Sequence, residues 1–386
     1  MAPKLVRVTT VPLSMRLLLA GQPGYMRAKG MDVVLVSGEG ADWKGIPDLD
    51  AYEVHKVDMA RDIALGRDIR ALWALIRLFR RIRPDIVHSH TPKAGLLSML
   101  AARVAQVPVR LHTVAGLPLM ERRGWKRLVL VWAERLTYRC ATGVYPNSLR
   151  LREYILEEGF TTPGKLKVIG RGSSNGIDTN FFKPSEELRE AGRRLRAGWG
   201  IGEKDLVFLF IGRLVKDKGV EELVRAFTLL AARRTGIWLV LVGPYEDDLD
   251  PLSADTRRQI DEHPVIRTSG FAQDVRPYLC ASDLLVFPSY REGFPNVPMQ
   301  AGCFGLPCIV TNINGCNEII VPEVNGLIVP PKDSTALEQA MERMVGDREL
   351  MTRCGGSARS MIETHYRNEF IWETLYTEYV SLLRQP

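Results

Sequence analysis

The sequence contains no long uncharged apolar run. Among its 386 residues, no such run approaches the roughly 18 residues that a membrane-spanning helix needs. Arg7 and Arg16 interrupt the apolar stretch near the amino terminus, and no small-residue cleavage site follows, so this stretch does not have the form of a secretory signal. We therefore expect the protein to be cytoplasmic.

The sequence also lacks the common short motifs of dinucleotide, disulfide and zinc sites. No GxGxxG follows the first predicted strand, which argues against a nucleotide-binding dehydrogenase. The six cysteines form no CxxC pair, so we expect buried reduced thiols in place of disulfides or a zinc site. They are Cys140, Cys280, Cys303, Cys308, Cys316 and Cys354.

Charge is distributed unevenly along a chain that is long enough for two globular domains. The net charge is +7, but residues 1–170 contain 27 Lys and Arg against 15 Asp and Glu, whereas residues 171–386 contain 25 against 30. A basic first half favours phosphates, anionic lipid surfaces or nucleic acid as partners. A solvated basic face is the alternative.

Apolar strands alternate with amphipathic helices in both halves, which predicts two α/β domains with parallel sheets covered on both faces. In the first half, strands are predicted at residues 5–10, 32–37, 85–89 and 109–113, and helices from the first strand to residue 29 and at 62–82, 93–105 and 126–139. In the second half, strands are predicted at residues 206–211, 237–242, 265–268, 284–287 and 308–311, and helices at 220–232 and 368–383.

Two segments that follow predicted strands have the composition of a ligand site. One is IGRLVKDKG at residues 211–219, and the other is SYREGFPNVPMQAGCFGLPCIVT at residues 289–311. Open α/β sheets bind ligands at the carboxyl ends of their strands, where the free amides of a starting helix also attract phosphate. Arg213 and Lys218 are spaced to face one anion and Gly212 permits close backbone approach, so a diphosphate is the expected ligand.

These motifs resemble a known family. The segments IGRLVKDKG, SGFAQDVRPYLCASDLLVFPS and REGFPNVPMQAGCFGLPCIV are similar to the C-terminal domain of retaining glycosyltransferases of family 4, which have the GT-B fold. The segment SNGIDTNFFKP resembles the interdomain segment of that family. In the first half, HSHTPKAGLLSMLAA and RLHTVAGLP resemble bacterial members that extend undecaprenyl-diphosphate-linked oligosaccharides, often from N-acetylhexosamine donors.

The resemblance implies an α/β architecture of two Rossmann-like, doubly wound parallel-sheet domains that face a cleft. An acceptor-binding domain is expected at residues 1–170 and a nucleotide-sugar-binding domain at residues 171–365. Residues 366–386 are expected to form a helix that packs back on the first domain.

The resemblance also implies a donor site in the second domain. Arg213 and Lys218 would hold the diphosphate of a sugar nucleotide, and Glu292, the first acid of the family's paired-glutamate motif, would bind donor sugar hydroxyls. Gln300 stands where the second glutamate is usual, and its amide can accept a ribose hydrogen bond but adds no negative charge. Pro295 offers a carbonyl but no amide donor. Gly270 and Phe271 would line the pocket for the nucleotide base. The implied site also includes the backbone groups of Gly212, Gly293, Phe294 and Asn296, around the sugar and the phosphates.

The acceptor side is implied to lie in the first domain. His112 matches the family's histidine beside the reacting sugar, whereas a lone histidine at a strand end is more often structural. Ser14 follows the first strand and is either near the acceptor phosphate or a helix cap. His88 and His90 have HxH spacing without a third metal ligand nearby, so we assign them, with Lys93, to acceptor recognition.

The implied activity is that of a retaining, metal-independent hexosyltransferase. A hexose or N-acetylhexosamine would pass from a UDP-sugar to an undecaprenyl-diphosphate-linked saccharide, with His112, Glu292, Arg213 and Lys218 as the catalytic group. No cofactor is expected, because the two cations supply the charge that a metal would bring, and the two DLD patterns of the chain fit solvated loops. The alternatives are a sugar-nucleotide epimerase with the same fold and a non-catalytic sugar-nucleotide-binding protein.

The basic residues of the first half suggest docking on anionic headgroups at the inner face of the cell membrane. Trp73, Phe79 and Trp125 are the candidate interfacial anchors, with core packing as the alternative. No nucleic-acid-reading module accompanies the charge, so nucleic acid is not an expected partner. The basic residues are Arg77, Arg80, Arg81, Arg83, Arg122, Arg123, Lys126 and Arg127.

Overall fold

The chain divides into two compact units, one formed by residues 1–176 with 368–386 and the other by residues 177–367. The boundaries predicted from the sequence are 170/171 and 365/366. The structure is a computed structural model, and the residues it describes are 2–59, 64–117, 119, 124–248 and 250–384. Among these residues, no helix is both long enough and apolar enough to cross a membrane.

The first unit is built on a parallel sheet. Over its described residues the strands are β1 (Lys4–Val8), β2 (Asp32–Ser37), β3 (Glu53–Lys56), β4 (Ile86–His90), β5 (Val109–Val114) and β6 (Gly143–Pro146). They lie in the order β3, β2, β1, β4, β5, β6, so the winding reverses between β1 and β4. This is the doubly wound topology of a Rossmann-like domain.

Helices cover both faces of this sheet. They are α1 (Pro12–Leu18), α2 (Gln22–Ala28), α3 (Leu65–Ile82), α4 (Pro92–Val104), α5 (Gly124–Cys140) and α6 (Leu149–Glu157). The prediction of one helix up to residue 29 is wrong, because Gly21, with φ of 76°, separates α1 from α2. A Cβ atom on Gly21 would lie 2.6 Å from the Trp372 ring. Asp62, the predicted start of α3, lies outside the described residues.

The second unit repeats the same topology. Its helices up to residue 262 are α7 (Glu186–Gly198), α8 (Val220–Ala231) and α9 (Ala254–Glu262), followed by α10 (Arg276–Cys280), α11 (Asn296–Cys303), α12 (Cys316–Ile319), α13 (Ser334–Gly346) and α14 (Arg348–His365). Its strands, over the described residues, are β7 (Leu206–Ile211), β8 (Ile237–Val242), β9 (Ile266–Gly270), β10 (Leu284–Phe287), β11 (Cys308–Thr311) and β12 (Gly326–Val329). They lie in the order β12, β11, β10, β7, β8, β9, so the winding reverses between β7 and β10.

The predicted fold class, α/β with two doubly wound parallel sheets, is confirmed. The interior strands coincide closely with the predicted ones because strands buried on both faces are nearly all apolar, as in β7 and β10. Three edge strands, β3, β6 and β12, were not predicted. Each has four residues, and the outer strand β3 reads EVHK, so an apolar pattern is absent there.

The carboxyl-terminal helix α15 (Asn368–Leu383) belongs to the first unit, although it follows the second unit in sequence. Four large apolar or aromatic side chains of this helix are buried in a cluster with apolar residues of β1, β2 and α2. They are Ile371, Trp372, Leu375 and Tyr379. Burial of large apolar side chains contributes about 1.5–3 kcal/mol each, so this helix is an integral part of the first unit.

Tyr379→Phe is expected to lower the free energy of unfolding by about 1–3 kcal/mol, because two fully buried groups lose a hydrogen-bond partner. The Tyr379 hydroxyl lies 2.6 Å from Arg7 Nη1 and 2.5 Å from His88 Nδ1. Urea denaturation followed by circular dichroism measures the change. The matched control is Tyr376→Phe, whose hydroxyl makes an exposed 3.4 Å bond to the Lys29 carbonyl. Equal stability of the two variants would contradict the expectation.

Candidate functional site

The predicted donor residues lie at the carboxyl edge of the second sheet, where the winding reverses. Strands β7 and β10 are hydrogen-bonded neighbours, with Leu284 opposite Phe208 and Leu285 opposite Leu209. The chain leaves β7 towards α8 and leaves β10 towards α11. Ligands of doubly wound sheets bind at this kind of reversal, because the two departing loops leave a crevice between them.

A glycine brings the loop after β7 against the loop after β10. Gly219 precedes α8 with φ of 70°, and a Cβ atom there would lie 2.1 Å from the Pro288 carbonyl oxygen. Only glycine fits this conformation and this spacing. As a result, Lys218 faces Glu292, and Lys218 Nζ lies 2.5 Å from Glu292 Oε1. These two side chains are only 16% and 18% exposed, so the predicted cation and the predicted acid form one shielded ion pair.

Arg213 forms a second ion pair at the same edge. Its Nη1 lies 2.7 Å from Glu246 Oε2, and the two side chains are 40% and 33% exposed. The hydrogen bond that Arg213 donates to the Glu246 carboxylate raises the pKa of Arg213 further above its already high ordinary value. Sequence reasoning missed Glu246, although its position shortly after β8, on the neighbouring strand, was a signal that could have indicated it.

Asp217 joins three loops of this edge. Its carbonyl oxygen accepts a bond from the Tyr290 amide at 2.9 Å, and its carboxylate lies 2.9 Å from Arg291 Nη2. Its own amide donates to Asp250 Oδ2 at 2.8 Å. Asp250 is the last residue of a DLD pattern, and here its carboxylate orders the backbone. Over the described residues, no group of three or more His, Cys, Asp and Glu side chains is arranged to hold a metal ion.

The loop after β11 packs against the segment from Gly293 to α11 and fixes its position. The Asn314 side-chain amide donates to the Glu292 carbonyl at 3.3 Å and also to the Gly293 carbonyl. Gly315 packs so closely that a Cβ atom would lie 2.8 Å from Pro295 Cδ. The Phe294 ring packs against Tyr366, with ring centroids 5.5 Å apart. The backbone groups of this segment therefore have a fixed arrangement.

The remaining predicted donor residues occupy more open positions. Gly212 follows β7 and Gly270, with φ of 67°, ends β9. The Phe271 side chain is 77% exposed beside it. Asn296 is the first residue of α11. Gln300 lies in α11, partly exposed, and its amide has no hydrogen-bond partner among the described residues.

In the first unit, His88 and His90 are buried on the face of the sheet that α15 covers. His88 Nδ1 lies 2.5 Å from the Tyr379 hydroxyl and Nε2 lies 2.7 Å from Thr113 Oγ1, so both ring nitrogens contact the protein itself. His90 Nε2 lies 2.8 Å from Nη2 of Arg7, a buried guanidinium that sequence reasoning did not assign to the site. The signal for Arg7 was a charge in the middle of the apolar strand KLVRV.

His112 faces the opposite side of the sheet, beneath α4. Its Nδ1 lies 2.9 Å from Ser89 Oγ, and Ser89 Oγ donates to the Leu111 carbonyl at 3.3 Å. The Ser89 hydroxyl oxygen therefore accepts a hydrogen bond from Nδ1–H, so that Nε2 is the unprotonated nitrogen and can act as an acceptor. A Cβ atom on Gly95 of α4 would lie 2.4 Å from the imidazole, so a glycine makes room for the ring. Burial lowers the pKa of His112 to about 4, and the ring is neutral at pH 7.

Lys93 and Ser14 have different surroundings. Lys93 Nζ forms an ion pair with Asp68 Oδ2 at 2.7 Å, and both side chains are mostly buried, so this ammonium ties α4 to α3. Ser14 lies inside α1, where Val11 is the N-cap and Pro12 the first residue. The alternative interpretation of Ser14 as a helix cap is therefore wrong.

Comparison with known proteins identifies the class to which this site belongs. Residues 24–172 match the family model "Glycosyl transferase 4-like domain", and residues 193–361 match "Glycosyl transferases group 1". The chain is 32% identical over 383 residues to the capsular polysaccharide biosynthesis glycosyltransferase CapM of Staphylococcus aureus, covering 99% of this chain and 98% of that protein. It is 30% identical to the Escherichia coli UDP-Gal:alpha-D-GlcNAc-diphosphoundecaprenol alpha-1,3-galactosyltransferase, covering 76% and 74% of the two chains.

The chain therefore belongs to the group 1, family 4-like glycosyltransferases and is a glycosyltransferase of polysaccharide biosynthesis. Solved structures agree on the fold, which is GT-B. A glycosyltransferase from Rickettsia africae superposes with a TM-score of 0.83 at 17% identity over 100% of both chains. Anabaena Alr3699/HepE in complex with UDP superposes with a TM-score of 0.80 at 20% identity, covering 99% of this chain and 100% of the other.

Acidification is expected to destabilise the first unit through its buried histidines. Burial lowers the pKa values of His88 and His90 well below 6.5 and that of His112 to about 4. The unfolded chain therefore binds more protons than the folded chain between about pH 6.5 and 4, and the free energy of unfolding falls as pH falls through this window. For His112 alone, the loss from pH 7.5 to pH 5 is about 2 kcal/mol.

Urea denaturation at pH 7.5 and pH 5 measures this loss, and His112→Gln should reduce the difference between the two pH values. His55→Gln is the control, because His55 lies partly exposed in the edge strand β3. A pH dependence that His112→Gln leaves unchanged would argue against a neutral buried imidazole.

Proposed function

We propose that the protein is a retaining glycosyltransferase that moves a hexose or an N-acetylhexosamine from a UDP-sugar to an undecaprenyl-diphosphate-linked saccharide. The observation that carries this proposal is the placement of Arg213, Lys218 and Glu292 in the two loops that leave the reversal point of the second sheet, where Lys218 and Glu292 form an ion pair. The name of the Escherichia coli relative specifies a UDP-sugar donor and a diphosphoundecaprenol-linked acceptor, and Anabaena Alr3699/HepE binds UDP, which supports the same chemistry here.

In this mechanism, the two cations stabilise the leaving group. Arg213 and Lys218 bind the diphosphate, on which negative charge develops as the glycosidic bond breaks. Glu292 accepts hydrogen bonds from donor sugar hydroxyls, and Gln300 accepts one from the ribose. The acceptor hydroxyl attacks from the face that the nucleotide leaves, and a phosphate oxygen takes its proton. Because fixed cations supply the positive charge, the mechanism uses no metal ion.

The first unit provides the acceptor side of the reaction. His112 offers the unprotonated Nε2 of a neutral ring, which accepts a hydrogen bond from a sugar hydroxyl without adding charge. His88 and His90 do not contact the acceptor in this mechanism. Their buried hydrogen-bond contacts fix the end of β4, which precedes Lys93 and α4. In this assignment His88 is a positioning residue, because both of its nitrogens contact Tyr379 and Thr113.

Arg213→Ala and Lys218→Ala are each expected to lower turnover about 100-fold or more, because each removes a donor aimed at the developing charge. Release of UDP from UDP-sugars in the presence of a lipid-linked saccharide, followed by mass spectrometry, measures the effect. Arg343→Ala is the matched control, since Arg343 pairs with Glu323 at 2.7 Å elsewhere in the second unit. Near-parental turnover in both site variants, with circular dichroism unchanged, would refute the assignment.

We also propose that the first unit docks peripherally on an anionic membrane. Helix α5 exposes five apolar side chains with helical spacing, so they form one stripe. They are Trp125, Leu128, Val129, Trp132 and Leu136. Helix α3 exposes a second stripe, which consists of Leu65, Ile69 and Trp73. A helix that follows a parallel strand starts at the carboxyl edge of the sheet. The first residues of the two stripes, Leu65 and Trp125, therefore lie towards that edge, where the acceptor is proposed to bind.

The cations needed for such a surface follow the apolar residues on the same helices. Arg77, Arg80 and Arg81 are exposed in the second half of α3. Juxtaposed apolar and basic side chains are typical of interfacial docking. Phe79 is only 1% exposed and packs in the core, so its predicted role as an anchor is wrong, whereas Trp132 at 74% exposure was missed. Arg122 and Arg123 lie outside the described residues.

Replacing Trp125 and Trp132 together by alanine is expected to weaken binding to phosphatidylglycerol-containing vesicles at least about 10-fold, because two interfacial aromatic anchors are lost. Co-sedimentation at low and high salt measures the affinity. Leu229→Ala in the second unit is the control, since Leu229 is an exposed apolar residue of α8. Parental binding that depends on neither anionic lipid nor salt would dispose of the docking proposal.

A further inference from the structure

The guanidinium of Arg213 has an acidic partner that the proposed diphosphate must meet. Arg213 Nη1 lies 2.7 Å from Glu246 Oε2, in an ion pair that is partly exposed. Lys218 likewise lies 2.5 Å from Glu292. The two cations of the donor site are therefore balanced by two carboxylates. Arg213 and Lys218 therefore contribute less to the affinity for a nucleoside diphosphate than two unpaired cations would contribute.

The two carboxylates differ in what they can do for a sugar nucleotide. Glu292 belongs to the loop that is proposed to bind the donor sugar, where an acceptor of hydroxyl hydrogen bonds is useful. Glu246 lies in the loop after β8 and pairs with Arg213, and its charge has the same sign as the diphosphate. A carboxylate next to a bound diphosphate competes for the same N–H donors and repels the phosphate oxygens.

Backbone contacts hold the Glu246 loop in place independently of the ion pair. The Leu214 amide donates to the Pro244 carbonyl at 2.8 Å, and Leu214 and Tyr245 form an isolated parallel bridge. Gly243 approaches Gly212 so closely that a Cβ atom would lie 1.9 Å from the Gly212 carbonyl oxygen. Because these contacts position the loop, the carboxylate of Glu246 is not required to build it. Glu246→Gln should therefore change charge and leave the backbone unchanged.

We propose that Glu246 determines the affinity of the donor site for nucleoside diphosphate, by competing with the diphosphate for Arg213. This proposal rests on the proposed function of the same site. A glycosyltransferase must release its nucleoside diphosphate product in every cycle, and a guanidinium free of any competing acid would hold that product more tightly. Glu246 thus weakens product binding while Arg213 remains available to stabilise the leaving group.

The test is the dissociation constant of UDP, measured by isothermal titration calorimetry at low salt. Glu246→Gln is expected to bind UDP about 3- to 10-fold more tightly than the parental protein, the range set by a partly exposed ion pair plus the removed repulsion. Its inhibition constant for UDP in turnover should fall by a similar factor. Glu323→Gln is the matched control, because Glu323 pairs with Arg343 at the same 2.7 Å outside the site.

A double-mutant cycle separates competition for Arg213 from any general effect of the substitution. In an Arg213→Ala background, Glu246→Gln should tighten UDP binding less than it does in the parental background. If the parental protein binds UDP but Glu246→Gln binds it equally or more weakly, Glu246 supports Arg213 and the inference is overturned, while the proposed function stands. If the parental protein binds no UDP at millimolar concentration, the UDP donor and the inference both fail.

Discussion

The parallel pairing of β7 with β10 is the constraint on which the proposed donor site depends. It makes neighbours of two strands whose following loops turn to opposite sides, and so it brings residues 74 positions apart, Lys218 and Glu292, into contact. A register shift of one residue would displace one loop against the other by about 3.3 Å, more than the length of the ion pair. Gly219 is the local condition for this arrangement, since any side chain there would strike the Pro288 carbonyl.

The two units share a strand order but carry different chemistry at their sheets. The second unit places permanent charges in one shielded and one partly exposed ion pair, which suits the binding of a diphosphate and the stabilisation of charge as it leaves. The first unit buries three histidines in neutral form, and His112 retains an unprotonated nitrogen. A neutral acceptor suits a sugar hydroxyl, which needs orientation and no charge. This difference supports the proposal that the second unit binds the donor and the first unit binds the acceptor.

The sequence predicted the fold class and the interior strands well, because each depends on local pattern. It also placed Lys218 and Glu292 after strands that are neighbours in the sheet, and the structure pairs these two side chains. It did not indicate the acidic partner of Arg213. Glu246 lies in a polar loop that contains several acids, and no periodicity in the sequence indicates which of them pairs with Arg213. The pairing follows from the position of β8 beside β7 in the sheet. Arg7 and Tyr379 are 372 residues apart, so their contact, and the burial of His88 that accompanies it, follow from the packing of α15 alone.

The side of a helix that faces solvent was also only partly predictable. Ile69, Trp73 and Phe79 all have helical spacing in α3, yet the first two are exposed and the third is in the core, because the neighbouring helix α4 decides which stripe is covered. In α5, the sequence indicated only Trp125 as a candidate anchor, whereas the structure exposes Trp125 together with Trp132 and other apolar residues of the same stripe.

In the proposed mechanism, this site transfers a sugar from a UDP-sugar with retention and without a metal. The most direct test is to incubate the protein with a panel of UDP- and GDP-sugars and undecaprenyl-diphosphate-linked saccharides in chelator, and to analyse products by mass spectrometry and the anomeric configuration by NMR. The account predicts UDP release, an extended lipid-linked saccharide and the configuration of the donor. Conversion of the sugar nucleotide without UDP release, inversion at the anomeric carbon, or turnover that returns only when manganese is added would contradict it.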